Sequence, residues 1–232
     1  MPRRLLPLFA LLFTTPAFCA DPPQQLAAID KQIDTHADDL LKLYTHLHSH
    51  PELSLQEKES AARMAAEVAA IPAEDWIPHF VRQNYEGAWS IIPLRCKLGA
   101  THPIMMAVSD PTATEFEDTP WLAAAPYLRE VLGTFPCALH SVRLMRLEPQ
   151  SQIKPHSDVD LDAATGTARL HVPITTNPLV DFRLNGTPVV MEPGSTWYLR
   201  LTDEHQVTNA SPETRVHLVV DCTADDWLLD LL

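Results

Sequence analysis

Basic residues are scarce in this chain. Lys and Arg number 17 against 30 Asp and Glu, for a formal charge of −13. A nucleic-acid partner is argued against, because phosphate binding rests on clustered Lys and Arg. Glycine is scarcer still: all six lie from Gly87 onward, and residues 24–70 hold none and one proline, Pro51. Of the four cysteines, Cys19 falls in a leader-like segment, and Cys96, Cys137 and Cys222 are widely spaced and odd in number. That excludes a disulfide framework and a paired-thiolate zinc site. Past the first twenty residues no apolar run approaches the roughly 20 residues of a membrane span. There is no internal repeat and no low-complexity tract. With 46% hydrophobic and 20% charged residues, 232 residues suit one sizeable domain plus an extension.

The start has the layout of a secretory signal peptide. Arg3 and Arg4 precede the apolar stretch Leu5 to Phe13, and Ala17-Phe18-Cys19-Ala20 offers small residues for cleavage before Asp21. Removal of residues 1–20 would leave the chain two charges more negative, and periplasmic or secreted. An uncleaved membrane anchor is the competing reading of the segment. The three remaining cysteines sit awkwardly with an oxidising compartment.

Residues 21–70 read as a helical extension. Leu26, Ile29, Ile33, Leu40, Leu41, Leu43 and Leu47 recur at helical spacing. Pro51 separates this helix from a second over 56–70, with Ser54 and Glu57 as a capping box. From about residue 71 the texture changes to short apolar alternations. Strands are expected over 142–148, 167–174, 180–184, 188–191, 196–201 and 214–221. Asn185-Gly186 marks a hairpin and Glu192-Pro193-Gly194-Ser195 a turn. A helix is expected within 118–133 and a short one over 225–232. The fold class is therefore mainly β, a sandwich or jelly roll with flanking helices.

The informative stretch is Ile153-Lys154-Pro155-His156-Ser157-Asp158. An imidazole and a carboxylate two apart on a strand or its end point the same way and can share a metal. His205, after the strand at 196–201, is the best third ligand. Two His and one carboxylate with open positions make the facial triad of non-haem Fe(II) oxygenases. Strand parity puts Arg215, His217 and Val219 on one face, and Arg169 with His171 on another. Arginines facing a barrel interior need anionic partners, which a metal-chelating dicarboxylate would supply through a bidentate fork. Outward-facing arginines and satisfied histidines are the alternative.

Residues of about 71–232 resemble an aspartyl/asparaginyl β-hydroxylase domain, the branch that includes bacterial free-amino-acid hydroxylases. The resemblance runs through Trp76-Ile77-Pro78-His79-Phe80, Tyr85-Glu86-Gly87-Ala88-Trp89-Ser90, Asp118-Thr119-Pro120, Pro126-Tyr127-Leu128 and Ser141 to Leu147. It continues through Ile153 to Asp158, Ala168 to Pro178, Trp197-Tyr198-Leu199, His205 to Asn209 and Arg215-Val216-His217-Leu218. The resemblance implies a double-stranded β-helix, Fe(II), 2-oxoglutarate as co-substrate, and O2. By position, His156, Asp158 and His205 would bind the iron on which catalysis depends, and Arg215 the distal carboxylate of 2-oxoglutarate. Arg169 and His171 match positions contacting co-substrate in some members and substrate in others. Arg143 matches a pocket arginine that meets a substrate carboxylate. The animal peptide hydroxylases lack the carboxylate ligand that Asp158 provides here, and Met145 stands where they place a polar co-substrate contact. The implied activity is hydroxylation of an unactivated C–H bond in a free amino acid or an Asp/Asn-type peptide side chain.

A second resemblance covers residues 26–70. The run Leu40 to Glu57, with His46, His48 and His50, is similar to the opening of an exported M20-type metallo-amidohydrolase, but the chain leaves that likeness before the family's metal ligands. These histidines are expected to be surface residues. The chain then reads as a fusion, with two consequences held open: a cytoplasmic location if the N-terminus is a fusion artefact, and a non-catalytic or decayed β-barrel binding protein instead of an enzyme.

Overall fold

The computed structural model describes residues 58–232. The signal segment, the helix expected before Pro51, the Ser54/Glu57 capping box and His46, His48 and His50 lie outside the described residues.

The described chain opens with helix α1 (Lys58–Ala69), then short strands β1 (Ile77–Pro78) and β2 (Tyr85–Glu86) and the long β3 (Trp89–Lys97). Helix α2 (Pro103–Ala107), strand β4 (Phe116–Asp118) and helices α3 (Pro120–Ala123) and α4 (Pro126–Leu132) follow. Eight strands come next: β5 (Leu139–Leu147), β6 (Ser151–His156), β7 (Thr167–Thr175), β8 (Val180–Leu184), β9 (Thr187–Pro188), β10 (Trp197–Tyr198), β11 (His205–Asn209) and β12 (Arg215–Thr223). A terminal helix, α5 (Asp226–Leu229), closes the chain.

The eight strands form one antiparallel ribbon wound on itself. At its tip Asn185 and Gly186 take φ of 50° and 74° between Leu184 and its partner Thr187. Two successive left-handed residues make the hairpin turn that Asn-Gly favours. Outward from this tip β8 pairs β9, β7 pairs β10, β6 pairs β11 and β5 pairs β12. Lateral pairs β7–β12 and β8–β11 close the ribbon into two sheets. The larger, seven-stranded sheet runs β1-β3-β5-β12-β7-β10, with β4 on β3; the smaller runs β2-β6-β11-β8-β9. This is a double-stranded β-helix.

Alternation along the central strands of the larger sheet sorts two kinds of interior. Val142, Leu144, Leu170, Val172, Val216, Leu218, Val220 and Cys222 pack with Met64 of α1, Leu122 of α3, Leu128 of α4 and Leu228 of α5. On the opposite face Met145, Leu147 and Val219 pack with Ile153, Phe182 and Val207 of the smaller sheet. Both faces are covered, so β12 is buried from Arg215 to Cys222. Burial of α1 on this core is reinforced by Glu67, whose carboxylate accepts the Tyr127 and Leu128 amides at 2.8 and 2.9 Å. It satisfies the start of α4, where Ala125 has no capping side chain.

Several elements differ from the sequence expectation. The helix expected within 118–133 is two helices, because Pro126 forces Ala125 out of helical geometry (φ −120°, ψ 76°) and starts a new turn. The strands expected over 188–191 and 196–201 pair only at Thr187–Pro188 and Trp197–Tyr198. Strand β3 is absent from the expected set, although its run from Trp89 to Leu94 is wholly buried. Cys96, Cys137 and Cys222 are buried free thiols, packed as small hydrophobes.

Asn209 anchors the return from β11 to β12. It is fully buried; its Nδ2 donates to the carbonyls of Leu147, Glu148 and Glu213, and its Oδ1 accepts from Ser211. Asn209→Ala would strand those carbonyls, and we expect it to lower unfolding free energy by about 2–4 kcal/mol in urea denaturation.

Candidate metal centre

Register places the first two candidate ligands. His205, the first residue of β11, lies directly opposite His156, the last residue of β6, with ring centroids 4.3 Å apart. Asp158 sits just past β6, where its amide donates to Leu201 O at 2.8 Å. One donor atom from each of His156, Asp158 and His205 falls within 4.8 Å of the others. His156 Nδ1 lies 2.7 Å from Lys154 O and His205 Nδ1 3.1 Å from Asp203 O. Donation to those carbonyls fixes the proton on Nδ1 and leaves each Nε2 lone pair for a cation. Burial holds the His205 pKa below its ordinary value, which also favours the neutral ligand form. The donor set of two imidazole nitrogens and one carboxylate therefore fits a ferrous ion with open coordination positions.

The triad lines a cavity of about 630 Å³ between the two sheets. Arg143, Arg169, His171 and Arg215 line it as well, as do Met145, Trp89 and Phe182. Four buried side-chain atoms lack hydrogen-bond partners among the described residues: Trp89 Nε1, Arg143 Nε, His171 Nε2 and Arg215 Nε. All four belong to residues lining this cavity. Orphaned polar atoms gathered at one void mark a place built for a polar ligand.

The three arginines differ in their company. Arg215, 2% exposed, has His217 Nδ1 at 2.7 Å from its Nη2 and no carboxylate partner among the described residues. Burial alone pushes its pKa down to about 9. Arg143 is buried against Asp221, with burial lowering its pKa to about 10. Arg169 forks onto Asp221 (Nε–Oδ1 2.6 Å, Nη2–Oδ2 3.0 Å) and reaches Asp158 Oδ2 with Nη1. Burial works against its charge, but Asp221 and Asp158 outweigh it and raise the pKa. His171 stands 3.4 Å from His217 across their Nδ1 atoms, with Phe182 beside it.

Thus His156, Asp158, His205, Arg143, Arg169, His171 and Arg215 all come to one cavity. Sequence reasoning passed over Asp221. Its parity with Arg215, His217 and Val219 was a usable signal, since alternate residues share a face. It also passed over the packing of His79, stacked 3.5 Å from Trp89 and flanked by Phe80.

Three histidines give the site a pH signature. Burial pushes His79 down to about 3, and burial with the nearby Arg215 holds His171 and His217 well below 6.5. They stay neutral in the fold but take protons once unfolded, so stability falls as pH drops below about 6.5, by up to about 1.4 kcal/mol per pH unit for each. Asp221, held below the usual carboxylate range by Arg143 and Arg169 against the effect of burial, contributes stability lost only at lower pH. Thermal melts of metal-free protein should show a falling Tm from pH 7 to pH 5; a flat profile would contradict neutral buried imidazoles.

The chain's similarities agree with this geometry. Residues 58–225 match the family model described as Aspartyl/Asparaginyl beta-hydroxylase. The chain is 29% identical over 141 residues to the L-proline cis-4-hydroxylase of Rhizobium meliloti (strain 1021), covering 60% of this chain and 49% of that protein. It therefore spans about half the length of the curated relative it matches. Among solved structures it is similar to a predicted oxalate decarboxylase of Thermotoga maritima (11% identity, 66% of this chain, 98% of that one, TM-score 0.35). A cupin-like protein of the same organism also matches (13% identity, 67% and 77%, TM-score 0.31). These structural likenesses are slight and add nothing to the topology above. The family match takes in well over half of the chain and every candidate ligand residue, and the chain belongs to the aspartyl/asparaginyl β-hydroxylase family.

Proposed function

We propose that this chain is an Fe(II)- and 2-oxoglutarate-dependent hydroxylase of a small amino-acid substrate. The observation that carries the reading is Arg215: a fully buried guanidinium without a carboxylate partner among the described residues, in the wall of the cavity that holds the His-Asp-His cluster. A buried cation left unpaired is costly, and a protein that keeps one has a use for an anion there.

His156, Asp158 and His205 would hold the iron, and Arg215 the distal carboxylate of 2-oxoglutarate. When bound, iron, 2-oxoglutarate and O2 supply the oxidation of an unactivated C–H bond to an alcohol, with succinate and CO2 released. The chain contributes position and shelter. Leu201, Val207, Ile153 and Phe182 form an apolar wall of the cavity beside the centre. His171, held neutral by burial, adds no charge beside Arg215. The cavity volume suits a small molecule. A free amino acid is favoured over a peptide side chain by the relative that acts on L-proline. Arg143 and Arg169 already share Asp221, so they serve a substrate carboxylate only through donors that this pair leaves over, such as Arg143 Nε.

Two measurements test this. Millimolar 2-oxoglutarate with Fe(II), under anaerobic conditions, should raise the Tm of the wild-type chain, by the equivalent of about 2.7 kcal/mol at a hundred times Kd. Arg215→Met should lose the part of that response that 2-oxoglutarate adds over Fe(II) alone, while matching or exceeding the unliganded wild type in stability, since it removes an unpaired buried charge. In a panel of amino acids screened by mass for one added oxygen, wild type should convert at least one with matching succinate release, and His156→Ala none. Turnover unaffected by His156→Ala would remove the triad from the reaction.

A further inference from the structure

Asp221 is the most heavily engaged side chain of the cavity, and neither iron nor co-substrate binding explains it. It is 1% exposed and accepts from Arg143, from Arg169 through both Nε and Nη2, and from Ser109 Oγ at 2.8 Å. Its backbone lies directly opposite Arg169 in the β12–β7 register. The two-point fork fixes the plane of the Arg169 guanidinium. The remaining nitrogen, Nη1, is thereby aimed at Asp158 Oδ2. Asp158 Oδ1 is left on the side of His156, 3.7 Å from its Nε2.

We propose that Asp221 is a positioning residue for the metal centre, acting through Arg169 to hold the Asp158 carboxylate in its ligating orientation. The inference rests on the proposed metal-binding role of the triad and deepens it. Asp158 needs such help. The residue lies beyond the end of β6, its side chain is 26% exposed, and its backbone is tied by one hydrogen bond to Leu201. A carboxylate free to rotate must be ordered by the cation itself, at the expense of affinity. The clasp of two arginines and two aspartates is electrically neutral, so it orients the ligand without leaving a buried charge.

The sign of one effect separates positioning from plain electrostatics. Removing a cation beside a site for a divalent ion strengthens binding if charge alone matters, and weakens it if Arg169 holds the ligand in place. The full chain, stripped of metal and free of 2-oxoglutarate, is titrated with Mn(II), with unbound Mn(II) read by electron paramagnetic resonance. Arg169→Gln keeps the Asp221–Arg143 pair and should bind about 10–100-fold more weakly than wild type. Arg169→Lys, which keeps the charge but not the fork, should show most of the same loss. Asp221→Asn should move in the same direction; if it fails to fold by circular dichroism, the two Arg169 variants carry the test. Arg169→Gln binding as tightly as wild type, or more tightly, overturns the positioning role. Wild type that binds no Mn(II), or binds it equally well as His156→Ala, overturns the triad reading itself.

Discussion

His156 and His205 face each other because β6 and β11 pair in one particular register. Side-chain direction alternates along a strand, so a slip of one residue would send an imidazole into the other face and dissolve the centre. The register is held at several points along the ribbon. The left-handed Asn185-Gly186 turn sets the tip, and Asn209 ties the far end of β11 to β5 and to the approach to β12. Apolar alternation on the larger sheet sets the rest, since a slip would exchange Leu218 and Val220 with His217 and Val219.

The same alternation explains how so much polarity is tolerated inside. One face of the larger sheet is aliphatic and takes the helices. The other brings Arg143, Arg169, Arg215, His171 and Asp221 to the cavity between the sheets, with His217 buried behind Arg215 and His171. Asp221 and Asp158 compensate two of the three guanidiniums, and the histidines stay neutral. Among the described residues one cation and four orphaned polar atoms remain. A core selected for stability alone would have replaced them with apolar side chains. Their retention at one cavity is the physical mark of a binding function.

Much of the fold was legible in local pattern. Strands at 142–148, 167–174, 180–184 and 214–221 carry clear β alternation, and each pairs in the structure at nearly those bounds. Less legible were segments ordered by their surroundings. Strand β3 carries Pro93 and an apolar run without alternation, because both of its faces are covered. Strand β11 mixes polar and apolar residues over five positions, too few to announce a strand between turns. The broken helix at Pro126 was there to be seen, since the residue before a proline avoids helical geometry.

The His-x-Asp spacing, the distal His205, and the parity of Arg215 with His217 and of Arg169 with His171 are properties of the sequence. They name donors and cations, because residue chemistry and period-two direction are local. Which of those groups meet was decided by tertiary structure alone. Only the wound ribbon sets Asp221 opposite Arg169, gives Arg143 a carboxylate and leaves Arg215 without one among the described residues. Charges are paired through space between strands distant in the chain, and no local pattern of residues records which neighbour each will find.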